Sequence, residues 1–498
     1  MNLMMLLEMS AQGFGAETAF VNGDDALTYS ELLDAAVCAG NRLRDDAAQH
    51  CAMLDVSSLA FPVGLFASAC AGKPFAPLNY RLADADLRAL LERISPALLV
   101  TDSERAVSID APPGIRAIAR DDFVRAARSG DGAGTREWPM DPDDTAILLF
   151  TSGTTGTPKA AVLRQRHLVS YMFSSVEFGY AVGETALVAV PPYHIAGVVS
   201  VISSVYAGRK VVQLPNFSAQ EWVRLAAHHD VTTAFLVPTM LGAINDEIEA
   251  GGGADLPHLK AISYGGGKMP GPVIERAMEL LPQVEFTQAY GLTETSSTVT
   301  VLLPRHHRDA MASDDPAVRR RVTSVGQALP GVELQIRDAD GKVLGPGERG
   351  EIFVRGEQVS GEYVGKGSLL DADGWFPTRD AGELDDEGFL FLEGRSDDVI
   401  VRGAENMSPG EIEDVLLRHA AVADAAVVGI PDEKWGEAVA AVVVLREGVR
   451  AGVEELQAWV KDSLRSSKVP QQITFASELP YNETGKLLRR VVRAELAG

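Results

Sequence analysis

The 498-residue sequence predicts an α/β protein of layered architecture, and three observations carry that expectation. Stretches with helical spacing alternate with short apolar runs through the first hundred residues, the pattern of helices packed on strands. Farther on, the apolar runs Ala146–Phe150, Val188–Val190, Val231–Val237 and Ala261–Tyr264 each lead into a loop marked by glycine or proline. From Ser324 onward, Gly341, Gly345, Gly347 and Gly350 punctuate strand-like runs, so a β-rich section follows the α/β part. At this length two or three domains are expected.

In chain order, Thr18–Val21 and Leu27–Tyr29 flank a Gly-Asp-Asp turn and predict a strand pair. Ser30 is the expected N-cap of an amphipathic helix from Glu31 to Leu43. A second helix is expected over Leu65–Ala71, inside the apolar-rich region Leu59–Leu78, where Pro62, Lys73 and Pro74 argue against a membrane span. Helical spacing covers Asp84–Ile94, and Ala97–Thr101 reads as a strand. Gly130–Thr135 reads as a surface loop, and Arg319–Arg321 as a solvated basic loop. Strands are expected over Glu333–Arg337, Glu351–Arg355, Ala425–Gly429 and Ala438–Leu445, and a helix over Val453–Leu464. The N-terminal patch Met1–Leu7 lacks a basic flank and is broken by Glu8, so no signal peptide is expected.

Hydrophobic residues at 46% and charged residues at 23% describe an ordinary globular chain. The net charge of −24 argues against a nucleic-acid partner and against docking on anionic lipid. Cys38, Cys51 and Cys70 show neither metal spacing nor a disulfide framework, which fits a reducing cytoplasm.

Function is written mainly in the loops. Thr151, Ser152, Gly153, Thr154, Thr155, Gly156, Thr157, Pro158 and Lys159 form a polar run between two apolar ones. A hairpin turn needs far fewer hydroxyls; backbone N–H groups, hydroxyls and one cation suit a polyphosphate. It is not a Walker loop, because Pro158 precedes Lys159 and Ala160 follows it, leaving no Mg²⁺-holding hydroxyl after the lysine. Gly265–Gly267 offers bare backbone against which a flat ligand can lie. In Phe286–Thr295, Glu294 can supply the single carboxylate that Mg²⁺ commonly takes beside phosphate oxygens and water. Asp380 closes the stretch Gly374–Asp380, Arg395 opens the polar run after Gly394, and Lys486 follows a Thr-Gly turn near the end.

These stretches, in this order, resemble the motifs of the adenylate-forming (AMP-binding) superfamily, in its acyl-CoA synthetase and fatty-acid–CoA ligase branch. The resemblance runs from about residue 16 to the C-terminus. It implies a large N-terminal part, residues 1–396, of two α/β layered subdomains plus a small β-barrel. A small mobile α+β C-terminal domain, residues 397–498, would turn about Asp397 and carry the catalytic Lys486. The loop from Thr151 to Gly156, with Lys159, would hold the β,γ-phosphates. Gly265, Gly266, Gln288, Ala289, Tyr290, Gly291 and Thr293 would meet the nucleotide, Asp380 and Arg395 the ribose, and Glu294 the Mg²⁺. Lys486, Thr293 and His194 would be the catalytic residues, Thr293 offering its hydroxyl to phosphate. Tyr193, His194, Ile195, Val199, Val237, Met240 and Gly267 would line an apolar acyl pocket. Arg402, Gly403, Ala404 and Glu405 would face the nucleotide during thioester formation.

The chain also departs from the family pattern. Gly267 and Lys268 replace the usual Ala-Pro, Arg379 and Ala404 stand where glycine is common, and the strand-rich passage before Leu54 is shortened.

The implied reaction has two steps: a carboxylate displaces pyrophosphate from Mg·ATP, and a thiol then displaces AMP from the acyl-adenylate. Tyr193-His194-Ile195 lacks the aspartate with which the peptide-synthetase branch holds an amino group. No arginine pair for a dicarboxylate is evident. No carrier domain is expected after residue 498. The expectation is therefore a cytoplasmic acyl-CoA synthetase of fatty-acid metabolism for a fatty, alicyclic or aromatic acid. ATP, Mg²⁺ and coenzyme A would serve it, with no nucleic-acid partner, no membrane span and room for a homodimer. The alternatives are a ligase loading an acyl carrier protein and a non-catalytic adenylate-binding relative.

Overall fold

The computed structural model describes residues 1–130, 134–151, 159–251, 255–395, 398–402, 405–432, 435–481 and 487–497. Among these residues two large sheets carry the α/β part. The nine strands of the first lie in the order Gln327–Ala328, Ser297–Leu302, Glu285–Leu292, Ala261–Gly265, Thr233–Leu236, Thr185–Val188, Lys210–Gln213, Thr18–Asn22 and Asp25–Thr28. The strands from Glu285–Leu292 to Thr18–Asn22 run parallel. From Thr185–Val188 the chain steps to Lys210–Gln213 on one side, then crosses back to build three strands on the other. Such a reversal opens a crevice at the carboxyl ends of the strands, here between Thr185–Val188 and Thr233–Leu236.

The second sheet has eight strands and a parallel centre around His50–Leu54. Thr145–Thr151 and Lys159–Arg164 form an antiparallel hairpin in it, with Thr151 opposite Lys159. Glu362–Tyr363 pairs on the outer edge of that hairpin, Tyr363 opposite Ala161. The α/β expectation is met. The small β subdomain is a four-stranded antiparallel sheet, Glu333–Arg337, Gly350–Arg355, Phe376–Leu384 and Leu390–Arg395. Its strand order has two open ends, so the described pairing does not close the expected barrel.

Several local expectations are corrected. Thr28, not Ser30, caps the helix Tyr29–Asp45. Thr28 Oγ1 accepts from the Glu31 N–H and the Glu31 carboxylate accepts from the Thr28 N–H, a reciprocal pair that Leu33 could not offer to Ser30. The helix expected at Leu65 begins at Ala60, because Pro62 is tolerated in a first turn. The strand expected over Val188–Val190 ends at Val188. Leu3–Phe14, taken only for an apolar patch, is a helix capped by Asn2, with Leu3, Met4, Leu6 and Leu7 buried in the main core. Arg319–Arg321 is exposed at Arg319 and Arg320 as expected but lies on short helical turns and not on a loop, and Arg320 and Arg321 have partners. They stack on Phe391 and Phe389, at 4.0 and 4.5 Å, and pair with Glu383, Asp385 and Glu387.

From Ile400 onward the chain builds its own cores. Gly436–Leu445 is the centre of that sheet, flanked by Val422–Asp432 and Ile400–Arg402, with Gln472–Ala476 pairing parallel to it. The helices Pro409–Leu417 and Val453–Ser463 cover it. No helix among the described residues is long and apolar enough to cross a membrane.

Two buried histidines, His167 and His307, and the partly buried His194 give the fold an acid limit. Burial, and then neighbouring arginines, push His167 and His194 down to about 4; burial does the same to His307. Folded, they stay neutral where an unfolded chain would take up protons below about pH 6.5. Stability is thus unaffected above that pH and falls below it, by on the order of 2 kcal/mol per histidine at pH 5. Calorimetric melting temperatures should drop between pH 7 and pH 5; a flat profile would count against this account.

Candidate active site

The parallel strands of the nine-stranded sheet deliver their carboxyl ends to one edge, and most of the expected site lies just beyond it. His194 follows Thr185–Val188, Val237 follows Thr233–Leu236, Gly266 and Gly267 follow Ala261–Gly265, and Glu294 follows Glu285–Leu292. The crevice between the first two is where this topology favours a ligand.

Lys159, Tyr363 and Glu294 come together. The Lys159 Nζ stands 5.9 Å from the centre of the Tyr363 ring, and the Tyr363 hydroxyl donates to Glu294 Oε1. The main chain of Glu294 is fixed as well, its carbonyl accepting from the N–H groups of Ser360, at 2.8 Å, and Gly361, at 3.2 Å. Thr293 and Glu294 lie on a single 3₁₀ turn, not on an open loop. Tyr363 is held by its neighbour Glu362, which takes a bidentate pair from Arg164 at 2.7 and 2.9 Å. Thr151 Oγ1 bonds the Lys159 carbonyl across the hairpin, at 3.4 Å. Ser152, Gly153, Thr154, Thr155 and Gly156 lie outside the described residues. A single carboxylate, Glu294, held by the same tyrosine that Lys159 faces, fits a Mg²⁺ ion that takes most of its ligands from phosphate and water.

A second pair forms 90 positions apart in sequence: the Tyr290 hydroxyl donates to Asp380 Oδ2 at 2.7 Å. Gln288, Ala289, Tyr290 and Gly291 are successive residues of Glu285–Leu292, and Gly265 pairs with Ala289 in the adjacent strand. A Cβ at Gly291 would overlap the Ser297 carbonyl. Gly266, at φ +81°, holds a left-handed turn beside Val237. Asp380 sits opposite Arg395 in the small sheet; the Arg395 side chain lies outside the description.

Arg379 keeps the backbone of the glycine it replaces, at φ +62°. Its N–H bonds Glu351 Oε1 at 3.0 Å, an interaction glycine would retain. The left-handed conformation costs a non-glycine residue about 1–2 kcal/mol, partly offset by the larger entropy loss of glycine. Arg379→Gly should therefore stabilise the chain by about 0.5–1 kcal/mol. Chemical denaturation of both proteins tests this, and a loss of stability would contradict it.

On the other side of the crevice Tyr193 is buried, its ring 4.5 Å from His194 and 5.3 Å from Tyr80. The His194 Nε2 is buried without a hydrogen-bond partner among the described residues. Val199, Val237 and Met240 belong to the main core, and Ile195 packs on it. Tyr80 and Arg81 were not anticipated; Arg81 stacks over Tyr80 at 5.5 Å, and only the Pro77-Leu-Asn-Tyr run hinted at a loop there.

In the C-terminal part Arg402 Nη1 donates to the Ser467 carbonyl at 2.6 Å and lies 5.7 Å from the exposed Trp435 ring. Glu405 begins the strand Glu405–Met407. Asp397, Gly403, Ala404 and Lys486 fall outside the described residues.

The sheet edge and the paired side chains around it are those of an enzyme that handles a nucleotide beside an apolar crevice. The family profile "AMP-binding enzyme" matches residues 7–364, and the profile "AMP-binding enzyme C-terminal domain" matches residues 411–486. The chain belongs to the AMP-binding enzyme family. It is 33% identical over 446 residues to a fatty acid–[acyl-carrier-protein] ligase, ScoC, of Streptomyces coeruleorubidus, covering 87% of this chain and 84% of the relative. It is 32% identical over 487 residues to a feruloyl-CoA synthase of Amycolatopsis sp, covering 96% and 95%. Among solved structures, the O-succinylbenzoate coenzyme A synthetase of Bacillus subtilis in complex with ATP and magnesium ion superposes with a TM-score of 0.83, at 30% identity, over 97% of this chain and 98% of that one.

Proposed function

We propose that the chain is an ATP-dependent acyl-CoA synthetase that activates a hydrophobic carboxylic acid as its acyl-adenylate and passes the acyl group to coenzyme A. The observation that carries this reading is the convergence of Lys159, Tyr363 and Glu294, and of Tyr290 with Asp380, where the strand Glu285–Leu292 meets the other two sheets. Lys159 and the run from Thr151 to Gly156 hold the β,γ-phosphates, and Glu294, oriented by Tyr363, would hold Mg²⁺. When bound, that ion neutralises phosphate charge. Tyr290 and Asp380 seat the nucleoside. The carboxylate attacks the α-phosphorus in line and pyrophosphate leaves, a displacement that needs positioning and charge stabilisation more than covalent help. Lys486 supplies the cation between carboxylate and α-phosphate.

We set the division of the chain at residues 396 and 397, with Asp397 as the hinge. Rotation there withdraws Lys486 and brings Arg402 to Glu405 toward the nucleotide for attack by the thiol. The acid is fatty, alicyclic or aromatic, and Val199, Val237 and Met240 would line its pocket; the apolar character of these core residues and the relatives' printed substrates support this. Residence in the cytoplasm and a place in fatty-acid metabolism complete the reading. ATP–pyrophosphate exchange over a panel of such acids tests the first step, and absence of exchange with every class would overturn it. The similarity to ScoC favours a second reading, acyl transfer to a carrier protein. Acylation of free CoA against a pantetheinylated carrier separates the two.

A further inference from the structure

The helix Pro409–Leu417 and its C-cap Arg418 present Gly410, Asp414 and Arg418 at four-residue spacing, hence on one face. The opposite face serves the C-terminal core: Ile412 and Leu416 are fully buried there, and Glu413 pairs with Arg489. The first face touches the N-terminal part at each of its three residues. Lys268 Nζ meets Asp414 Oδ2 at 2.7 Å. The Lys268 stem lies across Gly410, where an added Cβ would stand 2.5 Å from its Nζ and 3.0 Å from its Cδ. Arg418 Nη2 approaches Glu275 Oε1 at 3.7 Å, and a Cβ on Gly271 would lie 3.5 Å from the same nitrogen.

Position decides what this contact does. Lys268 directly follows the Gly265–Gly267 run at the crevice. The helix directly follows the paired strands Ile400–Arg402 and Glu405–Met407, whose connection carries the CoA-side residues. We infer that Lys268 and Asp414, with Gly410 as the groove that admits the lysine stem, are positioning residues that latch the C-terminal domain in the pose for thioester formation. The inference rests on the two-step reaction proposed above. The latch is weak, as a moving domain requires: the two side chains are 40% and 27% exposed, so solvent screens the pair. The pair biases a population between two poses and traps neither.

The test separates the half-reactions. In Asp414→Asn and in Lys268→Met, single-turnover thioester formation from supplied acyl-adenylate should slow by about two- to fivefold. ATP–pyrophosphate exchange should hold or rise in Asp414→Asn. The charge exchange Lys268→Asp with Asp414→Lys should restore the wild-type ratio of the two rates. Equal loss in both halves, loss confined to exchange, or failure of the charge exchange to restore the ratio would each overturn the latch. Energy transfer between dyes at Val107→Cys and Val449→Cys reads the pose without chemistry. Both sites are exposed and the native cysteines are buried. Asp414→Asn should shift the distance distribution of the full chain, and an unchanged distribution would overturn the latch. A shift in a protein that activates no acid would keep the latch and remove the proposed reaction.

Discussion

Lys486→Ala should lower ATP–pyrophosphate exchange by a factor of about 10²–10³, the usual consequence of losing one preorganised group at a developing charge. The same protein, given acyl-adenylate, should still form the thioester at nearly the wild-type rate. In the proposed reaction the lysine would serve the first step, because the negative charge of carboxylate and phosphate is brought together there. In the second step the acyl–phosphate bond already exists and the thiol approaches from the side the C-terminal domain has turned to serve. The two rates measured on one preparation decide the matter, since a misfolded protein would lose both. Equal loss of both halves in a folded protein would refute the division of labour.

Asp380→Ala should be the most damaging change on the nucleoside side, raising the KM for ATP about 10²-fold through lost charge-assisted hydrogen bonds to the ribose. Tyr290→Phe should cost less, about tenfold or under, because it removes one hydrogen bond to a carboxylate that the Thr378 hydroxyl still helps to fix through the Asp380 N–H, at 3.1 Å. The order of the two effects is the informative quantity. If Tyr290→Phe proves the worse, the tyrosine acts on the nucleotide directly and the carboxylate only supports it.

The sequence exposed those parts of the molecule whose cause is local. Asp84–Ile94 and Ala97–Thr101 have the same bounds in the structure as in the sequence reading, since helical spacing with acidic residues in the first turn, or a bare apolar run, suffices to set them. Glu294 and Asp380 were visible for a different reason, namely that their surrounding motifs resemble known chemistry. Tyr363 had neither advantage. It enters the site only because Glu362–Tyr363 pairs with a strand far upstream, and nothing in Gly361-Glu-Tyr-Val announces that partner. The partners of Arg320 and Arg321 were hidden for the same reason, Phe391 lying on a later strand and Phe389 just before it. The Leu3–Phe14 helix was hidden by its own apolarity, because a segment buried among other helices carries little polar contrast to mark its period.

The seam between Lys159–Arg164 and Glu362–Tyr363 also bears on how the polypeptide is born. Arg164 and its partner Glu362 are 198 positions apart. At ribosomal rates of about 5–20 residues per second, that interval lasts about 10–40 s. Throughout it the nascent hairpin has one unpaired border, a template for pairing with any neighbouring chain. Only the late arrival of Glu362–Tyr363 gives that border the partner it has in the folded chain.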